Sequence, residues 1–307
     1  MDLIYTLGTG SKWSNNEIRF SLRSVVKNLE GYGHIYIIGE DPGFLSGPGL
    51  TIIPHPDEIG PHNADGNIIR KVIRACQIKE LSDDFIFIND DNYFIKPMHV
   101  ADIYPFHKGD MNYVDPNIYT YNYWGRRLGR TRRHLMEHGI VPLHFDHHAP
   151  IVFNKAKFPD VVSVFDYATD VGLTIKSLYG SVIYPGAPKM NGEKVAIFKP
   201  YTLSQISKFL ANALYAANND KGLNDSFKYW LFTQFPEATP WETEPISDKI
   251  IAFAQWLDSD RDYEEGVRLY SQYIPNKVKL KRLYQRNRSS LLKAKLVYEL
   301  TQKIKAL

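Results

Sequence analysis

Cysteine is almost absent: Cys76 is the only one in 307 residues, so no disulfide can form within the chain. Its neighbours Ile73 and Ala75 fall in a helical pattern, which reads as a buried thiol rather than a nucleophile. Long apolar runs are missing as well. No stretch offers the roughly 18 to 20 uninterrupted apolar residues a membrane-crossing helix needs, and Met1-Asp2-Leu3-Ile4-Tyr5 begins as a strand without a basic or long apolar leader. A cytoplasmic protein is therefore expected, with peripheral membrane contact left open. Nor is there an excess of polar residues. Hydrophobic content of 44% and charged content of 23% are those of a folded globular chain, which argues against wholesale disorder.

Net charge is small, +3, but unevenly placed. From Asn276 to Leu307 ten Lys and Arg face one acid, Glu299, a local net of +9; the remaining 27 basic and 33 acidic residues give −6. Basic residues clustered at 276–307 suggest an anionic partner, whether a membrane surface, nucleic acid or an acidic glycan. Beyond Pro245 the character changes to three amphipathic helical patterns, Ile246 to Leu257, Tyr263 to Tyr273 and Ser289 to Leu307. Two regions are thus expected: a main domain over 1–245 and a small basic helical appendage over 246–307.

The most informative stretch is Phe85-Ile86-Phe87-Ile88-Asn89-Asp90-Asp91. A short apolar, β-branched and aromatic run fits a strand buried on both faces of a parallel sheet. Its carboxyl end then carries two acids. In open α/β sheets ligands bind outside that end of the strands, so Asp90 and Asp91 are placed to hold a divalent cation, Mn or Mg, against a phosphate. A polar strand end capping the next element is the plainer alternative.

Upstream, Leu3 to Leu7 reads as a first strand and Gly8-Thr9-Gly10-Ser11 as a turn whose small residues let backbone N–H groups approach a ligand. Ser14-Asn15-Asn16-Glu17 starts a helix with Ile18, Leu22, Val25 and Val26 on one side and Arg19 and Arg23 one turn apart on the other. The arginines suit a phosphate or plain solvation; Glu17 at the helix mouth suits an acid or base. Strands at His34–Gly39 and Leu50–Pro54 and a helix from Asn67 to Leu81 complete an alternation that specifies an α/β layer with a mostly parallel sheet.

Downstream, the aromatics between Tyr104 and Trp124 suit either sugar stacking or packing. The run Arg126 to Arg133 is the densest basic segment. His144-Phe145-Asp146-His147-His148-Ala149-Pro150 offers general acid/base groups, at spacings that match no zinc motif. Helical patterns follow over Val161 to Tyr179, Leu203 to Ala217 and Leu223 to Phe235.

In order, these blocks resemble the Stealth proteins, nucleotide-sugar-dependent transferases of bacterial capsule synthesis whose relatives include the lysosomal-enzyme GlcNAc-1-phosphotransferase. The likeness is carried by Leu3-Ile4-Tyr5-Thr6, by Asn16 to Ser24 with His34 to Ile37, by Leu81-Ser82 through Asp91, and by Leu223-Asn224-Asp225 with Phe235 to Glu242. His148-Ala149-Pro150 is similar to the family's H-x-P segment. The resemblance spans about residues 1–242 and implies a GT-A-like fold. It implies a divalent cation on Asp90 and Asp91, and Glu17, Asp91 and His148 as catalytic residues. The donor would be bound by Tyr5, Thr6, Gly8, Arg19, Arg23, Asn89, Asn224 and Asp225.

The chain departs from the family pattern at Asn67-Ile68-Ile69-Arg70-Lys71, near Phe165-Asp166-Tyr167 and after Thr6. Transfer of a sugar and transfer of its 1-phosphate therefore both stay open. The expected activity is metal-dependent transfer of either group from a nucleotide-sugar donor to a hydroxyl of a glycan acceptor. Two alternatives stand beside it: glycosylation of a modified base in DNA, and a non-catalytic glycan- or membrane-binding module on a degenerate transferase fold.

Overall fold

Residues 1–248 and Ile251 are described by a computed structural model, in which the apolar runs of the sequence assemble into a central sheet. In chain order the elements begin β1 (Asp2–Leu7), α1 (Asn16–Asn28), β2 (Leu29–Glu30), β3 (Ile35–Gly39), β4 (Leu50–Pro54), α2 (Ala64–Cys76) and β5 (Asp84–Asn89). There follow β6 (Asn92–Phe94), β7 (Met98–His99), α3 (Ile118–Tyr121), α4 (Tyr123–Glu137), β8 (Ile151–Asn154), α5 (Lys157–Ser163) and α6 (Ile175–Ile183). The last are β9 (Lys194–Ile197), α7 (Leu203–Leu210), β10 (Tyr215–Asn218) and α8 (Asp225–Gln234).

The central sheet has the order β4-β3-β1-β5-β8, parallel throughout except for antiparallel β8. The expected α/β class with a mostly parallel sheet is what is found. Alternate residues of β1 feed opposite faces: Ile4 packs with Ile69, Val72 and Ala75 of α2, while Leu3, Tyr5 and Leu7 pack with Ile18, Leu22 and Val25 of α1. A parallel sheet covered on both sides in this way leaves only its strand ends for solvent and ligand.

A second sheet, β6-β10-β9, lies under α7 and α8, with β10 antiparallel to β6 and parallel to β9. Phe20, on α1, joins this third apolar cluster with Tyr93, Phe227 and Trp230. Helix α1 is therefore packed on both sides, and even its charged residues Glu17, Arg19 and Arg23 are buried.

Two helical expectations are corrected. The pattern from Val161 to Tyr179 breaks into the end of α5, a loop and the start of α6, and the pattern from Leu203 to Ala217 ends at Leu210. Tyr215 to Asn218 is instead a strand, because Tyr215, Ala216 and Ala217 find partners in β6 that are remote in sequence. Four residues are too few to show a period, so only the pairing decides their state. The helices expected from Ile246 onward and the basic segment 276–307 lie outside the described residues, apart from 246–248 and Ile251. Among the described residues no helix is long and apolar enough to cross a membrane.

Candidate active site

Parallel pairing sets the floor of the site. In the register of β1 with β5, Thr6 stands beside Asn89, and the two strand ends open together. A cavity of about 440 Å³ lies there, walled by Thr6, Gly8, Ser11, Glu17, Asn89, Asp90 and Asp91. The second sheet closes the far side: Ala217 pairs with Asn92, so the chain leaving β10 brings Asn218, Asn219 and Asp220 to the cavity opposite the Asp90–Asp91 turn. That return is tight. A side chain at Gly222 would meet the carbonyl of Ile197 at 1.6 Å.

Five carboxylates line this cavity: Glu17, Asp57, Asp90, Asp91 and Asp220. Lys71 is the one lysine or arginine among the lining residues, and it is spent on Asp57 at 2.6 Å and on the Leu7 carbonyl at 2.8 Å. Asp220 pairs with exposed Lys12 at 3.0 Å. No lysine or arginine is ion-paired with Glu17, Asp90 or Asp91 among the described residues. Burial, then the neighbouring charges of Asp91 and Glu17, drive the Asp90 carboxyl well above the usual carboxylate range. Burial likewise raises Glu17, although Ser11 donates to its Oε2 at 2.8 Å.

Beside this cavity is a smaller one of about 200 Å³ that shares Ala64, Ile68 and Asn89 with it and is lined further by Trp124, Arg127, Asp146, His148 and Lys176. His148 stands at the junction, its Nδ1 3.4 Å from Asp91 Oδ2. Its neighbour His147 is structural: buried, stacked on Phe106 at 4.4 Å, its Nε2 hydrogen-bonded to the Phe106 carbonyl at 2.6 Å. The bond fixes which histidine of the pair faces the site. Lys176, fully enclosed on α6, donates to Asn89 Oδ1 at 2.7 Å and to the Ala149 carbonyl at 2.6 Å, tying β5 to the H-x-P segment. Burial pulls its ammonium down to about 8.

Backbone strain is concentrated here too. Among the described non-glycine residues positive φ occurs at Ser14 (53°), Asn15 (57°) and His148 (48°). The first two immediately precede the helix that presents Glu17, and the third is the junction histidine. Left-handed conformations at such residues cost of order 1 kcal/mol or more each and persist where surrounding structure fixes them.

Of the residues expected from sequence, Thr6, Gly8, Glu17, Asn89, Asp90, Asp91 and His148 converge on the two cavities. Five do not line them. Arg19 and Arg23 are buried against Glu242, at 3.0 and 2.7 Å, with further bonds to the carbonyls of Glu244, Phe235 and Pro236. Their guanidiniums bind the chain's own carboxylate instead of a phosphate. Tyr5 is wholly buried, its hydroxyl 3.0 Å from Ser21 Oγ, and burial raises its phenol far above the ordinary value. Asn224 caps α8: its Oδ1 accepts from the Phe227 amide at 3.0 Å and its amide donates to the Tyr201 carbonyl. Asp225 is the first residue of that helix and is likewise absent from the cavity walls.

A segment of this chain is similar to sugar-phosphate transferases. It is 30% identical over 97 residues to an exopolysaccharide phosphotransferase of Streptomyces coelicolor, which covers 30% of this chain and 17% of that protein. It is also 31% identical over 106 residues to the N-acetylglucosamine-1-phosphotransferase subunits alpha/beta of human and mouse, which covers 33% of this chain and 8% and 9% of those proteins. The chain thus spans under a fifth of the length of these relatives, and the resemblance to Stealth-type transferases holds over that segment. No family model matches the chain. Among solved structures, mouse xyloside xylosyltransferase 1 in its apo form aligns over 72% of this chain and 98% of its own, at 8% identity and a TM-score of 0.37. The galactosyltransferase LgtC with donor and acceptor sugar analogues aligns over 78% and 98%, at 10% identity and a TM-score of 0.44.

The donor set fits a divalent cation shared with a substrate. Among the described residues no group of three or more His, Cys, Asp and Glu encloses a metal unaided. Two adjacent carboxylates that no lysine or arginine ion-pairs among the described residues are what a hard cation uses when phosphate and water supply its other ligands. The sequence did not announce Lys71, Asp57, Asn218, Asn219 or Lys176 as site residues, whereas Asp146 fell within the His144–Pro150 candidate segment and does line the smaller cavity. Asn218 and Asn219 stood in plain view as a polar break, but their partner strand lies more than a hundred residues upstream.

Proposed function

We propose that this chain is a metal-dependent transferase with a GT-A-like arrangement, moving a sugar or its 1-phosphate from a nucleotide-sugar donor to a hydroxyl of a glycan acceptor. One observation carries the reading: Glu17, Asp90 and Asp91, which no lysine or arginine ion-pairs among the described residues, converge beside the carboxyl ends of parallel strands, in a cavity whose lysine is already paired. A diphosphate brought into such a field is repelled unless cations accompany it. Asp90 and Asp91 would hold the cation. When bound, a divalent ion neutralises the donor diphosphate and the charge that develops on the departing nucleotide.

The division into two cavities supports separate places for two substrates. The larger, floored by Thr6, Gly8 and Asn89, takes the donor, and the smaller, beside Trp124 and Lys176, takes the acceptor. At their junction His148 accepts the proton of the acceptor hydroxyl, while Asp91 orients the ring through its Nδ1. Glu17, buried and raised, presents a carboxyl to the donor side that can donate a hydrogen bond in its protonated form. Lys176 keeps Asn89 and the backbone before Pro150 in register.

The test is incubation with a panel of nucleotide sugars and Mn²⁺ or Mg²⁺, followed by donor hydrolysis and by thermal shift with UDP, GDP and CMP. Slow hydrolysis of at least one donor is expected, metal-dependent and lost in Asp91→Ala. A wild-type protein inert to every donor and unshifted by any nucleotide with metal would overturn the reading.

A further inference from the structure

We propose that the exposed aromatic and arginine face at the start of α4 is a docking track for an acceptor glycan carrying acidic groups. The inference rests on the transferase reading and deepens it by naming the class of acceptor. Trp124 is 36% exposed and lines the smaller cavity, so the face begins where the acceptor hydroxyl would sit. Next to it Tyr123 is 42% exposed, its ring lying flat on His62 at 4.0 Å between centroids, with the Arg126 guanidinium 5.6 Å from the Tyr123 ring centre. Tyr121, just before, is 87% exposed. Flat apolar ring faces left open to solvent match the apolar face of a pyranose, and several exposed rings beside a cavity mark a binding surface more than a core.

Charge supplies the second half of the recognition. Helix α4 carries Arg126, Arg127, Arg130, Arg132 and Arg133, and its first acid is Glu137. Arg127 and Arg130 are paired with Asp65 and Asp166, whereas Arg126 and Arg133 have no carboxylate within 4.0 Å among the described residues. Guanidinium groups left without acids bind carboxylate or phosphate in two-pronged fashion. A neutral glycan would use the rings and leave the arginines idle. A chain bearing uronate or phosphodiester groups uses both, and continuity with the cavity at His148 favours a glycan over a nucleic acid.

The test is calorimetric titration of the full chain with oligogalacturonate, with a phosphodiester-linked oligosaccharide, with a neutral maltooligosaccharide of equal length and with a single-stranded oligonucleotide. At least one acidic glycan should bind about tenfold more tightly than the neutral one; a lead by oligogalacturonate identifies carboxylate, a lead by the phosphodiester chain identifies phosphate. Tyr123→Ala and Arg126→Glu should each weaken that binding by about fivefold or more, and the thermal shift by nucleotide and metal should be unchanged in both. Equal binding of the neutral chain, variants that bind as the wild type does, or tighter binding of the oligonucleotide would overturn the proposal. Loss of the nucleotide shift in the wild type, with acidic-glycan binding intact, would instead count against the transferase reading alone.

Discussion

Two buried charge clusters share helix α1 and are built on opposite rules. At its first turn Glu17 joins Asp90 and Asp91, like charges whose burial raises Glu17 and Asp90 and with which no lysine or arginine is ion-paired among the described residues. On the opposite side of the same helix, Arg19 and Arg23 clasp Glu242, whose burial would raise it but whose bonds to the arginines bring it below its ordinary value. The neutralised cluster is cross-bracing, since it ties α1 to the segment after α8. The other has no lysine or arginine ion pair among the described residues, which is the ground on which we propose that a cation completes it. Buried charge is costly in either case, so the presence or absence of an internal partner separates a brace from a binding site.

Five substitutions, at four residues, break or sharpen that contrast. The largest effect is expected from Asp91→Ala, which should lower metal-dependent donor turnover by at least about a hundredfold while thermal unfolding stays level or rises, because a like charge has been removed. Kinetics with calorimetry on the same samples checks both halves. Glu242→Ala should do the reverse: it strands two buried guanidiniums and should cost about 3–5 kcal/mol in urea unfolding, with nucleotide binding per folded molecule retained.

The pH dependences should carry opposite signs. Glu17 has a raised folded pKa, so the folded state holds the proton more tightly than the unfolded chain and stability falls as pH rises from the ordinary value of 4.5 upward. Glu17→Gln, measured with a chelator present, should therefore be more stable than wild type near neutrality, with the gain vanishing on acidification. Glu242 has a lowered folded pKa, so its contribution is present above 4.5 and lost as pH falls below it. Glu242→Gln should be less stable near neutrality and the deficit should narrow in acid. The smallest effect belongs to Asn224→Ala, which removes the α8 cap and should cost about 1 kcal/mol in thermal unfolding. Nucleotide binding with intact affinity would confirm that Asn224 holds a helix rather than a ligand.

The misplacement of Arg19, Arg23 and Asn224 has a common cause. Their residue types bind phosphate and cap helices with the same donors and acceptors, so the pattern Arg-x-x-x-Arg or Leu-Asn-Asp is compatible with either use. For the two arginines the decision came from Glu242, more than two hundred positions away, held in place where the chain of 241–243 bonds back to Phe44 and Ser46; for Asn224 it came from the Phe227 amide and the Tyr201 carbonyl. Glu242 also explains why the blocks Asn16 to Ser24 and Phe235 to Glu242 belong together: they are two halves of one ion cluster. Lys71 was hidden for a related reason. On a helix wheel it falls among polar neighbours, but the ends of β1 and the Asp57 loop roof it over.

What the sequence by itself determined is local. Apolar runs of strand length made the sheet, the switch to helical spacing made α1 and α2, and acids directly after β5 had to emerge at a strand end, because a fully buried strand cannot carry them inside. What only the tertiary structure decided is partnership: which acid meets a base and which meets none, which of two adjacent histidines turns inward, and which polar loop closes the cavity. Those outcomes depend on contacts between residues far apart in the chain, and the free energy of a buried charge is set by its surroundings rather than by its place in the sequence.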